Sequence, residues 1–144
     1  MPEFRYAKGR IMDSLAFISK EMEEFDSDYA TKTWKDYSSD TKLQKLVDRT
    51  IENILTALIE VSGVILVEKN ISAESYPDVM RKIGQSFGFN EEESDALARL
   101  AIQRNRLAHR YLNFRWQVVK LYIQNRDLLK RLVNNFYEYE KKRE

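Results

Sequence analysis

Apolar residues recur at helical spacing along most of the chain, and no stretch alternates in the manner of a strand. Ile11, Leu15, Ile18, Met22 and Phe25 form the first stripe, which predicts a helix over about residues 4–25. Residues 26–38 read as a loop rich in Asp, Ser and Thr, pinned by Tyr29, Trp34 and Tyr37. Ser38, Ser39 and Asp40 supply caps for a second, long helix. Its stripe runs through Leu43, Leu46, Val47, Ile51, Ile54, Leu55, Leu58, Ile59, Ile65 and Leu66 and stops near Asn70. Pro77 opens a short third helix and Gly88 closes it. Asn90 and Glu93 have the spacing of a capping box, ahead of a fourth helix with Leu97, Leu100, Ala101, Leu107 and Ala108 on one stripe. A last helix over about residues 113–141 carries Val118, Leu121, Tyr122, Leu129, Leu132, Val133 and Phe136. The pattern predicts an all-α fold, an antiparallel four- to five-helix up-and-down bundle, as one domain over residues 1–144.

Composition agrees with that picture. A chain of 144 residues has room for one core. The charged share of 33% and the hydrophobic share of 43% suit amphipathic helices with solvated outer faces rather than disorder. There is no Cys, which excludes disulfides and points to the cytoplasm. Residues 1–10 are polar and charged, unlike a secretory signal. The longest apolar run, Val61 to Val67, is interrupted by Ser62 and Gly63 and falls short of the ~20 residues that span a bilayer, so no membrane is expected as a partner.

Charge changes the picture more. Residues 99–144 hold 12 Lys/Arg against 4 Asp/Glu, a net +8, while residues 1–98 hold 12 against 19, a net −7. Such asymmetry signals either a polyanionic ligand for the C-terminal third or attraction between oppositely charged parts of the molecule.

Helix four contains a local conflict. Arg104 lies seven residues after Leu97, at the centre of the apolar stripe, about 20° from Leu97 around the axis. A permanent charge aimed at a core needs a partner or a polar cavity, and Asp48, Glu52 and Glu60 are candidate partners. If the helix continues, Tyr111 falls on the line of Arg104 and His109 sits one turn beyond Asn105, so the four converge on one concave site with Arg106 and Arg110 on its exposed side. His109 is the only His, so a His/Cys metal centre is excluded; a carboxylate-only magnesium site stays open, but no Asp/Glu cluster stands near this helix and no metal or other cofactor is expected. There is no Gly-rich phosphate loop and no nucleophile elbow. His with Arg suits cleavage of RNA by its own 2′-hydroxyl: imidazole moves protons near neutral pH, and guanidinium grips the phosphate. One His per chain supplies an acid or a base, and a two-fold dimer supplies both.

The stretch Arg104-Asn105-Arg106-Leu107-Ala108-His109-Arg110-Tyr111 resembles the signature of HEPN-domain proteins, in which an Arg and a His four to six residues later form the ribonuclease motif. Tyr two positions after His is similar to the HepT-like toxin branch, encoded beside a minimal nucleotidyltransferase antitoxin of the MntA type. The long second helix, the Tyr76-Pro77 entry to the third and the aromatic-rich last helix extend the likeness over most of the chain. It departs from the pattern after Tyr111, where Leu112-Asn113-Phe114-Arg115-Trp116 replaces an acidic or apolar stretch. The resemblance implies a HEPN-like bundle, a homodimer with its site at the interface, and a metal-independent endoribonuclease acting on tRNA or mRNA as a toxin. It further implies that Arg104 and His109 are catalytic with Asn105 in support, that Arg106 and Arg110 hold RNA, and that the antitoxin neutralises the protein by transferring AMP to Tyr111. The residues alone leave two other readings open: a non-catalytic nucleotide- or substrate-binding partner of a nucleotidyltransferase, and a structural helical adaptor.

Overall fold

The computed structural model describes residues 10–142, so the expected start of the first helix near residue 4 and both ends of the 1–144 domain lie outside the described residues. Among the described residues seven α-helices follow one another: α1 (Arg10–Asp28), α2 (Trp34–Ser38), α3 (Thr41–Glu68), α4 (Tyr76–Ser86), α5 (Glu91–Gln103), α6 (Leu112–Gln124) and α7 (Arg126–Lys142). A 3₁₀ turn (Arg104–Ala108) links α5 to α6, and the described residues contain no strand. The fold is all-α, with α3 as its axis: α1, α2, α4, α5, α6 and the 3₁₀ turn all pack on it, and α7 packs on α1 and α6.

Local chemistry explains the boundaries. The Asp40 side chain accepts the Leu43 N–H at the start of α3, and Ser75 does the same for Asp78 at the start of α4. Asn90 and Glu93 form the expected reciprocal capping box on α5. α3 ends in a residue of positive φ, Asn70 at 58°, flanked by Ile71 N–H bonded to Leu66 O and Asn70 N–H bonded to Val67 O. The same motif closes α4, with Gly88 at φ 83° and Phe89 N–H bonded to Gly84 O.

Two features raise the helix count above four to five. The segment read as a loop contains α2, one helical turn held by a Thr33–Asp36 capping box that buries Tyr37. The last helix is broken at Asn125, which leaves helical geometry (φ −108°, ψ 13°) while its backbone N–H and its side-chain amide both donate to Leu121 O, at 3.1 and 3.0 Å. The five helical segments expected from periodicity otherwise stand, and their stripes form one continuous core that includes Leu15, Ile18, Ile54, Leu58, Leu97, Tyr122 and Phe136.

α3 is longer and more apolar than a contiguous-run reading suggests. Its best 18-residue window has mean hydropathy 1.7, enough in length and composition to cross a membrane, but 67% of that window is buried inside the bundle. That burial is the signature of a core helix, because the apolar surface is already covered by its neighbours.

Candidate functional site

The helical line expected to join Arg104 to Tyr111 does not form. α5 stops at Gln103 and tightens into the 3₁₀ turn, and the chain then runs extended through His109 (φ −78°, ψ 143°) to Tyr111 (φ −79°, ψ 122°). In a 3₁₀ turn residues three apart eclipse, so Arg104 stands beside Leu107. Leu107 enters the core, while Arg104 slides to its edge and is only half-buried. The conflict between charge and core is resolved by unwinding the helix end.

Arg104 finds neither Asp48, Glu52 nor Glu60. Its Nη1 donates to the Thr56 hydroxyl of α3 at 3.4 Å, and its guanidinium lies 5.3 Å from the centroid of the Tyr76 ring. With Asn105 it lines a groove of about 530 Å³ whose far side is Ser75, Tyr76 and Pro77 at the start of α4. Arg104 makes no ion pair among the described residues, so its charge is available to an anion.

His109, Tyr111 and Phe114 form a second group. The His109 ring lies 4.8 Å from Tyr111 and 4.9 Å from Phe114, edge-on to the latter, and Tyr111 lies 5.7 Å from Phe114. The Tyr111 N–H donates to His109 Nδ1 at 3.3 Å, which leaves the proton of the neutral ring on Nε2. Arg106 packs 5.4 Å from the Phe114 ring and Arg110 packs 5.4 Å from Tyr111. Both arginines and His109 are exposed, and Tyr111 is 50% exposed. Tyr111 gives α6 no side-chain cap, so the positive end of that helix adds to the cationic surroundings. The contacts of Arg104 and those of His109 share no residue: the structure brings His109 and Tyr111 together, and sets Arg104 and Asn105 against α3 and α4 at the other end of the same turn.

The first turn of α6 is anchored from behind. Arg115 Nη1 donates to Asp48 at 2.9 Å and Nη2 to Gln44 at 3.4 Å, the Tyr37 hydroxyl donates to Asp48 at 2.7 Å, and Gln44 Nε2 donates to Tyr37 O at 2.8 Å. Asp48, Gln44 and Tyr37 are buried, and Trp116 and Trp34 cover Tyr37. Burial first, and then the bond to Asp48, push the Tyr37 phenol up, so it stays a donor. Burial also pushes the Asp48 carboxyl up, against the pull of Tyr37 and Arg115.

The cationic excess of the C-terminal third therefore divides. Arg115 is bound to Asp48, Arg126 and Lys130 to Asp26, and Arg131 to Glu93. Arg99, Arg104, Arg106, Arg110 and Lys120 have no carboxylate partner among the described residues. Attraction between oppositely charged parts of the molecule accounts for the first set; the second set makes no such pair. Phe114, Thr56, Gln117 and the Asp48–Arg115 pair escaped the sequence reading. Phe114 alone carried a signal, an aromatic three residues after Tyr111 on the opening turn of α6.

A family model described as "Ribonuclease HepT-like" matches residues 18–136, which include the whole of the site. A comparison with curated proteins finds no match.

Proposed function

Because the chain belongs to the HepT-like ribonuclease family, we propose that it is a metal-independent endoribonuclease that acts in the cytoplasm as the toxin of a toxin–antitoxin pair. The observation that carries this reading is the 3₁₀ turn with an Arg at its head and a His just beyond its tail, framed by cations without carboxylate partners. Arg104 holds the scissile phosphate, and Asn105 beside it orients the phosphate or the His. The 2′-oxygen forms a bond to phosphorus as the bond to the 5′-oxygen breaks. His109 takes the 2′-hydroxyl proton, and a second His109 protonates the departing 5′-oxygen, both drawn from two copies of the chain paired about a two-fold axis. A protonated ring carries hydrogen on Nδ1 and so no longer accepts from the Tyr111 N–H. Arg106 and Arg110 bind neighbouring phosphates of the RNA.

In this reading Tyr111 is the acceptor through which a nucleotidyltransferase antitoxin of the MntA type silences the protein. Its half-exposed ring lies between Arg110 and Phe114 and against His109, so AMP on its hydroxyl brings bulk and negative charge into the place RNA phosphate must occupy. The same arrangement, an aromatic stack flanked by arginines with Nδ1 of His109 already occupied, also suits the alternative of a nucleotide-binding partner subunit that cuts nothing.

The test is cleavage of labelled total RNA in EDTA by the purified chain beside His109→Ala. Cutting by the wild type alone, leaving 2′,3′-cyclic phosphate ends, is expected. No cutting by protein whose mass shows no added AMP overturns the ribonuclease reading in favour of the partner subunit.

A further inference from the structure

We infer that the groove between α5 and α6 is a track for the phosphodiester backbone of RNA running away from the cleavage point, with Arg99 and Lys120 as phosphate ligands; this rests on the ribonuclease reading. The groove encloses about 280 Å³. One wall is Arg99, Gln103 and Arg106, spaced four and three residues apart along α5 and the 3₁₀ turn. The other is Gln117, Lys120 and Gln124 at three and four residues along α6, with Leu121 beside them. Each ladder stays on one face of its helix and extends about 10 Å at 1.5 Å per residue.

Three cations and three amides line this groove and no carboxylate does. The carboxylates that pair cations of the C-terminal third, Asp26, Asp48 and Glu93, lie outside the groove and bind Arg115, Arg126, Lys130 and Arg131 instead. Arg99 and Lys120 are exposed and make no ion pair among the described residues. Glutamine amides beside such cations can both donate and accept, which fits phosphate, ribose 2′-hydroxyl and base edges alike.

Arg106 makes the groove continuous with the site. Its Nη1 donates to Gln117 Oε1 at 2.6 Å across the groove, while the same guanidinium packs on Phe114, the ring against which His109 rests. A strand with its scissile phosphate between Arg104 and His109 thus meets Arg106 next and then Lys120 and Arg99. An acidic protein surface offers carboxylates instead of phosphates, but the amide ladders favour a ligand that alternates charge with hydroxyls and base edges.

The test uses the whole chain carrying His109→Ala, so that bound RNA stays intact, and a fluorescent single-stranded RNA followed by anisotropy over a range of KCl concentrations. Arg99→Gln with Lys120→Gln is expected to weaken binding about tenfold and to lower the slope of log affinity against log salt by about 1.4, since each single-strand phosphate contact contributes ~0.7. Lys42→Gln with Lys45→Gln on α3, which removes the same charge from another exposed surface, is expected to leave the slope unchanged. Unaltered slope and affinity in the groove variant, or an equal loss in the α3 variant, overturns the track. So does a groove variant that keeps RNA and loses only a purified acidic partner protein. Failure of the His109→Ala parent to bind RNA overturns the ribonuclease reading together with the track, whereas parent binding that the groove substitutions leave untouched overturns the track alone.

Discussion

The guanidinium of Arg115 and the carboxylate of Asp48, 2.9 Å apart, tie the first turn of α6 to α3. The side chains are only 17% and 11% exposed, and Asp48 also accepts from Tyr37. Asp48→Ala leaves a cation and a phenol without their acceptor, and the expected loss is about 3 kcal/mol. Replacing both partners, Asp48→Leu with Arg115→Leu, is expected to recover part of that stability, because no lone charge remains while the buried Tyr37 hydroxyl still lacks its acceptor. RNA cleavage is not expected to recover with it, since the turn that carries Phe114 has lost its anchor. Urea unfolding beside cleavage rates checks both statements, and a double variant as unstable as the single one refutes the first.

Phe114→Ala removes the ring that His109 and Tyr111 both touch. Aromatic pairs contribute ~0.5–1.5 kcal/mol beyond their buried area, so a loss of about tenfold in cleavage rate is expected from a less ordered His109. Phe114 lies outside the buried core, and its thermal midpoint is expected to move little. A midpoint that collapses while the surviving protein cuts at the normal rate reverses the assignment.

Glu93 titrates on behalf of α5. Arg131 beside it, and then the Asn90 N–H, hold its carboxyl below the usual Glu range. The unfolded chain therefore takes up this proton before the folded one does, and the stabilisation is present above the ordinary Glu pKa and lost as pH falls through the depressed value. The thermal midpoint of wild type is expected to exceed that of Glu93→Gln at neutral pH. The gap narrows as the solution is acidified below pH 4.5, the ordinary Glu value. A gap that is constant or widens towards acid contradicts the assignment.

Gly88 has open space where a Cβ would stand, so any penalty for Gly88→Ala comes from its φ of 83° alone. The expected cost is ~1–2 kcal/mol, or roughly 3–7 °C in the thermal midpoint. Differential scanning calorimetry reads it directly, and RNA cleavage below the transition is expected to be unaffected.

Much of this architecture was legible beforehand because its causes are local. Apolar stripes fix which face of each helix is buried, and Asp40, Asn90, Asn70 and Gly88 act where their chemistry said they would. The stripes overreach where packing ends: Leu46 remains 45% exposed and Ala108 is exposed too. The unwinding at Arg104 was hidden because Arg-Asn-Arg-Leu-Ala holds no Gly or Pro, and the helix ends for a tertiary reason, the cost of aiming Arg104 into the core. Asp48 with Arg115 was hidden for another: 67 positions separate them, and nothing in spacing predicts such a pair. Arg104, His109 and Tyr111 stood out by motif, but their division between two sides of the turn depends on a backbone path that periodicity does not encode.

The extended link from His109 to Tyr111 belongs to neither of the helices it joins. Its opening breaks three hydrogen bonds, from the His109 N–H to Arg106 O, from the Tyr111 N–H to His109 and from the Arg115 N–H to Tyr111 O, with a few ring contacts, so its amides are expected to exchange with solvent at a fraction of the free energy needed to unfold the bundle. Heat resistance and turnover are then governed by separate cooperative units, and selection can retune the reacting segment without renegotiating the core.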